Sequence, residues 1–182
     1  MKLLLLAILA VVRSGKTQDE ENVGAHFKKI GIIPDVIEEA PRDPAVVEFN
    51  RGDRARLGNE LPASKVKIVP DITYRPSPYD DNYCVLILGV NNTENANCPK
   101  GTQYIYGCWQ NIIGGDVFGV NPTVSYEDNP PTNGIVVFLV LEQSRRRNFK
   151  PIEKRTCFNT KQFMQDNNLF IYAGNDIKVV PK

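Results

Sequence analysis

The sequence predicts a mostly β protein, and three strongly apolar runs carry this prediction. Residues 83–88, 104–113 and 135–141 are rich in β-branched and aromatic residues, and segments rich in Pro, Asn and Gly separate them. Such runs, bounded by turn-forming residues, are typical of strands. The last run is apolar almost throughout, which predicts a strand covered on both faces. We therefore expect these runs to form the central strands of one sheet.

Shorter elements are predicted around the central strands. Val23, Phe27 and Ile30 recur at helical spacing before Gly31, which predicts a short amphipathic helix. The β-branched content of residues 46–49 predicts a strand, followed by a turn at residues 50–53 and a hairpin partner near residues 54–58. The remaining predictions are a strand at residues 72–74, a helix at residues 161–169 and a closing strand at residues 177–180.

The N-terminus has the pattern of a secretory signal peptide. A charged start precedes the apolar residues 3–12, and Arg13 and Ser14 lead into a strongly polar segment. The apolar run is too short to span a bilayer. A buried helix at the start of the domain is the alternative interpretation. We expect residues 1–14 to be removed, one domain over residues 15–182, no membrane-spanning segment and an extracellular location.

The charge balance argues against nucleic acid as a partner. The formal net charge of the whole chain is +1, and removal of the leader takes away Lys2 and Arg13, which lowers the charge by two to −1. A chain with so little net charge has no bulk electrostatic attraction to nucleic acid.

Four cysteines lie in the predicted mature chain: Cys84, Cys98, Cys108 and Cys157. An even number of cysteines in an oxidising compartment predicts disulfides, and three pairings are open. A zinc site would need closely spaced pairs or histidine partners, and His26 is the one histidine of the sequence. We therefore expect no metal and no cofactor. Four buried free thiols are the alternative if the chain is cytosolic.

The sequence carries no recognisable catalytic motif. A serine or cysteine nucleophile needs a base, most often histidine. His26 stands next to Phe27 on the predicted amphipathic helix, where a surface or packing role is expected. No Gly-rich phosphate loop, nucleophile elbow or paired-carboxylate motif stands out. We expect that the protein is not an enzyme, with carboxylates brought together by folding as the alternative.

Several short segments occur in an order and spacing that point to one family. They are residues 31–37, 57–61, 83–88, 115–117, 130–131 and 137–143. Together they resemble the phosphatidylethanolamine-binding proteins, and residues 161–169 fit the late helix of that family. The resemblance implies a central antiparallel β-sheet with a few peripheral helices. It also implies a small cavity near one edge, which in the family holds a phosphate or a phosphoethanolamine head group.

The resemblance places the family pocket where this chain departs from the family. The family's Asp-Pro-Asp-Ala-Pro-Ser loop is replaced by a segment that begins with Gly89 and contains Asn91, and Tyr106 stands at the position of the usual pocket histidine. Pro130 and Pro131 are kept, but the family's Gly-x-His-Arg segment has no equivalent after them. A phenol donates a hydrogen bond but brings no positive charge. We expect a remodelled pocket with weak or absent phosphate binding.

Two covalent features follow in the same region. The family places Cys84 and Cys108 on neighbouring central strands, and Cys98 and Cys157 beside the altered loop and the late helix. The resemblance therefore implies the pairs Cys84–Cys108 and Cys98–Cys157. Separately, residues 91–93 form an Asn-Asn-Thr sequon, which predicts a glycan on Asn91 at the mouth of the pocket.

Two functions compete at this point. The first is a secreted, non-catalytic binding protein whose cavity accepts a neutral or lipophilic molecule, with Tyr106, Pro130 and Pro131 at its wall. The second is a protein-interaction or inhibitor module in which the cavity is vestigial. Binding of a small ligand would favour the first function, and capture of a protein partner that does not depend on the pocket would favour the second.

Overall fold

The computed structural model describes residues 22–77 and 82–181, so the predicted leader lies outside the described residues. The helices are α1 (Val23–Lys29), α2 (Ile32–Asp35) and α3 (Thr160–Asn167). The strands are β1 (Asp43–Pro44), β2 (Val46–Phe49), β3 (Asp53–Arg54), β4 (Asn59–Pro62), β5 (Asp71–Thr73), β6 (Asn82–Val90), β7 (Tyr104–Ile113), β8 (Gly134–Gln143) and β9 (Leu169–Val180). Short 3₁₀ turns occupy Asn50–Gly52, Ala63–Lys65 and Thr93–Asn95. The mostly β prediction is confirmed.

The main sheet has the order β1-β9-β8-β6-β7, and β4 also pairs with β9. Within this sheet, the adjacent strands β9, β8, β6 and β7 pair in antiparallel fashion, as expected. The strands β1 and β4 pair with β9 in parallel, so the complete sheet is mixed. Strands β6 and β8 are buried on both faces, which is why their sequences are apolar without alternation.

The two faces of the main sheet have separate cores. On one face, side chains such as Val85 and Phe138 pack with the small antiparallel sheet β3-β2-β5. On the other face, Leu86 and Leu139 pack with the helices. Because successive residues of a strand point to opposite faces, β6 and β8 supply both cores at once.

The predicted elements differ from the structure mainly at the C-terminal end. The helix predicted to end at residue 169 ends earlier, because Asn168 takes a left-handed conformation (φ 47°) as its C-cap. The closing strand begins at Leu169 rather than at residue 177. Gly174, Asn175 and Asp176 disfavour a strand locally, so only pairing with its neighbours extends β9 through them.

The predicted hairpin partner of β2 is short. β3 pairs with β2 at Asp53 and Arg54 only. Leu57 (φ 46°) and Gly58 (φ 91°) then turn the chain away, and the following strand joins β9 instead. In the part of the chain that the structure describes, no helix has the length and apolar character needed to cross a membrane.

Candidate functional site

The predicted pocket residues lie where β6 ends and β7 and β8 begin. Gly89, near the end of β6, pairs with Tyr104 of β7 and with Val136 of β8. Tyr106 lies two residues further along β7. The structure therefore brings Gly89 and Tyr106 together.

A residue that the sequence did not single out fills the space between them. A Cβ atom at position 89 would lie 2.2 Å from Asn92 Nδ2 and 2.6 Å from Tyr106 Cε2, so a larger residue there would force one of these side chains to move. Asn92 Nδ2 donates a 3.0 Å hydrogen bond to the Tyr106 hydroxyl. Asn92 is only 6% exposed and Tyr106 is fully buried. The two side chains thus occupy the volume above Gly89.

Tyr106 belongs to a row of aromatic rings. Its ring centroid lies 4.9 Å from that of Tyr104 and 6.5 Å from that of Tyr126. Burial is the main cause that raises the pKa of Tyr106 well above its ordinary value, and Glu94 raises it further, while the hydrogen bond from Asn92 lowers it. The phenol is therefore neutral at physiological pH and brings no charge to this site.

The cationic side chain of Arg155 contacts this region, but it donates hydrogen bonds to main-chain and side-chain oxygens of the protein. The Arg155 guanidinium donates to the main-chain oxygens of Tyr106 (2.8 Å) and Ser125 (2.7 Å) and to Asp128 Oδ2 (3.3 Å). It fastens the segment before α3 to β7. Nothing in the local sequence around Arg155 predicted this role, because its partners lie about 30 to 50 residues away.

The remaining predicted residues surround the packed centre. Pro131 is buried and Pro130 half-buried, and Asn129, which precedes them, donates a hydrogen bond to the Tyr104 hydroxyl. Asn91 is exposed and has a positive φ of 55°. A Cβ at Gly134 would meet Asn92 Cβ at 3.1 Å, so this turn packs closely on the loop after β6.

The disulfide Cys98–Cys157 is confirmed, with a Cα–Cα distance of 5.1 Å. It joins the loop after β6 to the segment before α3. Asn95 supports the same junction, because its Oδ1 accepts from the Cys157 amide (2.8 Å) and its Nδ2 donates to the Thr102 carbonyl (3.0 Å).

The predicted disulfide between Cys84 and Cys108 is wrong in the structure, since both are buried free thiols. Cys108 pairs with Leu86, so Cys84 is its diagonal neighbour across the two strands. Diagonal neighbours have Cα atoms roughly 7–8 Å apart, beyond the usual reach of a disulfide. Burial and the neighbouring Cys108 thiol raise the pKa of Cys84, while the Cys84 thiol lowers the pKa of Cys108.

His26 is not a surface residue. Its Nε2 lies 2.9 Å from Asp176 Oδ1, and the side chains are 8% and 2% exposed. Gly58 packs beside the pair, because a Cβ there would meet His26 Cε1 at 3.0 Å. This contact fastens α1 and the 57–58 turn to β9, which is a packing role of the kind the sequence allowed.

Two cavities lie away from the Gly89 region. One, of about 350 Å³, lies between α3, the start of β9 and residues 38–39. The other, of about 360 Å³, lies on the outer side of the small sheet, beside the loop that carries Phe118. The first is at the opposite end of the main sheet from Gly89, since Leu169 pairs with Gln143 and Gly89 pairs with Val136.

Solved structures identify the fold. Carboxypeptidase Y inhibitor, in a complex with its cognate proteinase, superposes with a TM-score of 0.71 at 21% identity over 87% of this chain and 94% of the inhibitor. A phosphatidylethanolamine-binding protein of Plasmodium falciparum gives 0.64 at 17% identity over 86% and 96% of the two chains. The chain has the phosphatidylethanolamine-binding protein fold. The fold inferred from the family resemblance is thereby confirmed.

Comparison with other phosphatidylethanolamine-binding proteins and with curated sequences agrees. The Plasmodium vivax phosphatidylethanolamine-binding protein gives a TM-score of 0.65 at 17% identity, over 87% and 97% of the two chains. A Drosophila melanogaster protein provisionally named odorant-binding protein A5 is 24% identical over 153 residues, which are 82% of this chain and 71% of that protein. No family model matches the chain.

Proposed function

We propose that the protein is a secreted, non-catalytic binding protein that has lost phosphate head-group binding and takes a neutral or lipophilic ligand. The observation that carries the proposal is the packing of Asn92 and Tyr106 over Gly89. In this proposal, a neutral amide and a neutral phenol occupy the family's anion position. The provisional name of the Drosophila relative, which refers to odorant binding, supports a small-molecule ligand.

The expected loss of phosphate affinity follows from the missing charges. Each charge-assisted hydrogen bond contributes about 1.5–3 kcal/mol. Two cationic donors of the family pocket have no equivalent here. Since about 1.4 kcal/mol is tenfold in affinity, their loss corresponds to a decrease on the order of a hundredfold or more.

Calorimetric titration with phosphate and with phosphoethanolamine tests this part of the proposal. We expect weak or undetectable binding by the unmodified protein. Tyr106→His should recover only part of the family's affinity, because the loop after β6 still lacks its acidic residue; Tyr126→His serves as a control in the same aromatic row. Head-group binding as tight as that of a phosphatidylethanolamine-binding protein would overturn the proposal.

Secretion is supported by the Cys98–Cys157 disulfide and by the exposed position of Asn91 in its sequon. Expression of the whole chain in a eukaryotic secretory host should give medium-borne protein without residues 1–14. Treatment with an N-glycosidase should lower its mass, and Asn91→Gln should abolish that change. Asn121, which is followed by proline, supplies the matched control, since Asn121→Gln should leave the glycan in place. Protein retained in cells with its leader attached would contradict secretion.

A protein-interaction or inhibitor role is the second candidate, and an exposed aromatic side chain favours it. Phe118 is 86% exposed on the loop after β7, next to the cavity lined by Val46. Val46 is also 50% exposed and lines the same cavity, and adjoining exposed apolar side chains mark interaction sites, whereas scattered ones do not. Inhibition of carboxypeptidase Y, the enzyme named with a fold neighbour, is the direct assay. Inhibition that Phe118→Ala abolishes and Tyr106→Phe leaves intact would favour this role, and no inhibition at micromolar protein would count against it.

A further inference from the structure

The cavity between α3 and β9 forms a groove on the helix-covered side of the main sheet. Its wall includes Glu38, Glu39, Lys161, Met164, Leu169 and Ile171. Its volume of about 350 Å³ falls within the range of small-molecule sites, which begins near 300 Å³. None of the residues predicted for the family pocket lines it.

The chain builds an apolar floor for this groove at the helix–strand junction. The left-handed Asn168 ends α3 and turns the chain directly into β9. Leu169 and Ile171, two residues apart on the strand, are both buried on the face that α3 covers. Met164 lies above them and packs on the same core. Phe170, which alternates to the other side, is 53% exposed at the rim.

The groove carries more negative than positive charge. Glu38 and Glu39 supply two exposed carboxylates, and Lys161 supplies one ammonium. No ion pair within residues 22–77 and 82–181 engages either carboxylate. An apolar floor with an excess of negative charge at its rim complements a ligand that has an apolar body and a cationic head.

We propose that this groove binds a small lipophilic amine, with the apolar body on Met164, Leu169 and Ile171 and the ammonium at Glu38 and Glu39. The inference rests on the proposed function and names both its ligand class and its position. It moves the ligand from the family pocket, where Asn92 and Tyr106 fill the space, to the opposite end of the main sheet.

Three probes of equal length separate the chemistry: hexylamine, 1-hexanol and hexanoate. Apart from Met1, Met164 is the only methionine of the chain, so its methyl resonance reports occupancy of the groove directly. We expect hexylamine to shift this resonance saturably and to bind about tenfold or more tightly than hexanol, with hexanoate weakest. Equal affinity of the three probes would remove the role of the carboxylates. A Met164 methyl that hexylamine leaves unshifted would overturn the proposal.

Two substitutions on the same helix give a matched pair. Gln165 lines the groove and Gln162 does not, and both are exposed. Gln165→Trp should fill the groove and weaken hexylamine binding about tenfold or more, whereas Gln162→Trp should leave it within about twofold. Equal effects of the two would refute the position.

The charge variant combines Glu38→Gln and Glu39→Gln. Its control is Glu153→Gln, which removes an exposed carboxylate outside the groove. The double variant should weaken hexylamine about tenfold and leave hexanol unchanged. An affinity for hexylamine that is unchanged in the groove variants but lost in Tyr106→Ala would overturn this inference. That result would leave the proposed function standing. Tight phosphate binding would instead refute the proposed function and leave the groove data unaffected.

Discussion

Removal of the Cys98–Cys157 disulfide gives a stability change that can be worked out from the chain. The two cysteines are 59 residues apart. Closing a loop of that length restricts the unfolded chain by about 4 kcal/mol at 25 °C. We expect the variant with Cys98→Ala and Cys157→Ala to lose about this much free energy of unfolding. For a chain of this size the midpoint of thermal unfolding should fall by roughly 8–16 °C.

Urea unfolding measures this loss. Three samples are compared: the oxidised protein, the same protein treated with a reductant, and the double variant. The reductant should destabilise the unmodified protein to the level of the double variant and leave the variant itself unchanged. A thiol reagent applied under denaturing, non-reducing conditions should detect two thiols, those of Cys84 and Cys108. A double variant less than about 1 kcal/mol weaker, or four reactive thiols in the unmodified protein, would refute the reasoning.

Three further predictions concern buried polar side chains and the packing above Gly89. Asp176→Ala should destabilise by about 1–3 kcal/mol in urea unfolding, because it removes the buried carboxylate that contacts His26 Nε2, whereas Glu60→Ala, which breaks the exposed pair with Lys178, should cost less than about 1 kcal/mol. Equal costs would contradict the burial argument. Gly89→Ala should destabilise by about 1–3 kcal/mol through overpacking, and an unchanged urea midpoint would show that the site above residue 89 has free space. Burial raises the pKa of three tyrosines, so an ultraviolet pH titration should find them un-ionised at pH 10 in the folded protein. The free energy of unfolding should fall as the pH rises above about 10, because the tyrosines of the unfolded chain ionise there while those of the folded protein do not. Ionisation of every tyrosine near pH 10 in the folded protein would contradict this prediction. The three tyrosines are Tyr74, Tyr106 and Tyr126.

Part of the fold was predictable because its signals are local. Strands β6, β7 and β8 follow from runs of β-branched and aromatic residues, and α1 follows from helical spacing before a glycine. The order of short segments also predicted the fold and the Cys98–Cys157 disulfide correctly. In each case the information lies within a few residues, or in an order along the chain that the sequence displays directly.

The contents of the pocket were decided by tertiary packing. The sequence identified Gly89 and Tyr106 but passed over Asn92, whose amide occupies the space between them. It also paired Cys84 with Cys108, because neighbouring strands were known but their register was not. A shift of one or two residues in register moves a thiol out of reach without changing any local pattern.

The sequence by itself determined the central strands, the family fold and the absence of the family's charged pocket residues. The tertiary structure alone decided that His26 meets Asp176, 150 residues away, that β4 joins β9 in parallel, and that a groove opens beneath α3. Hydrophobic periodicity is fixed by neighbours along the chain, so it can be read from sequence. Which distant side chains meet depends on register and close packing, and these are set only when the whole core forms.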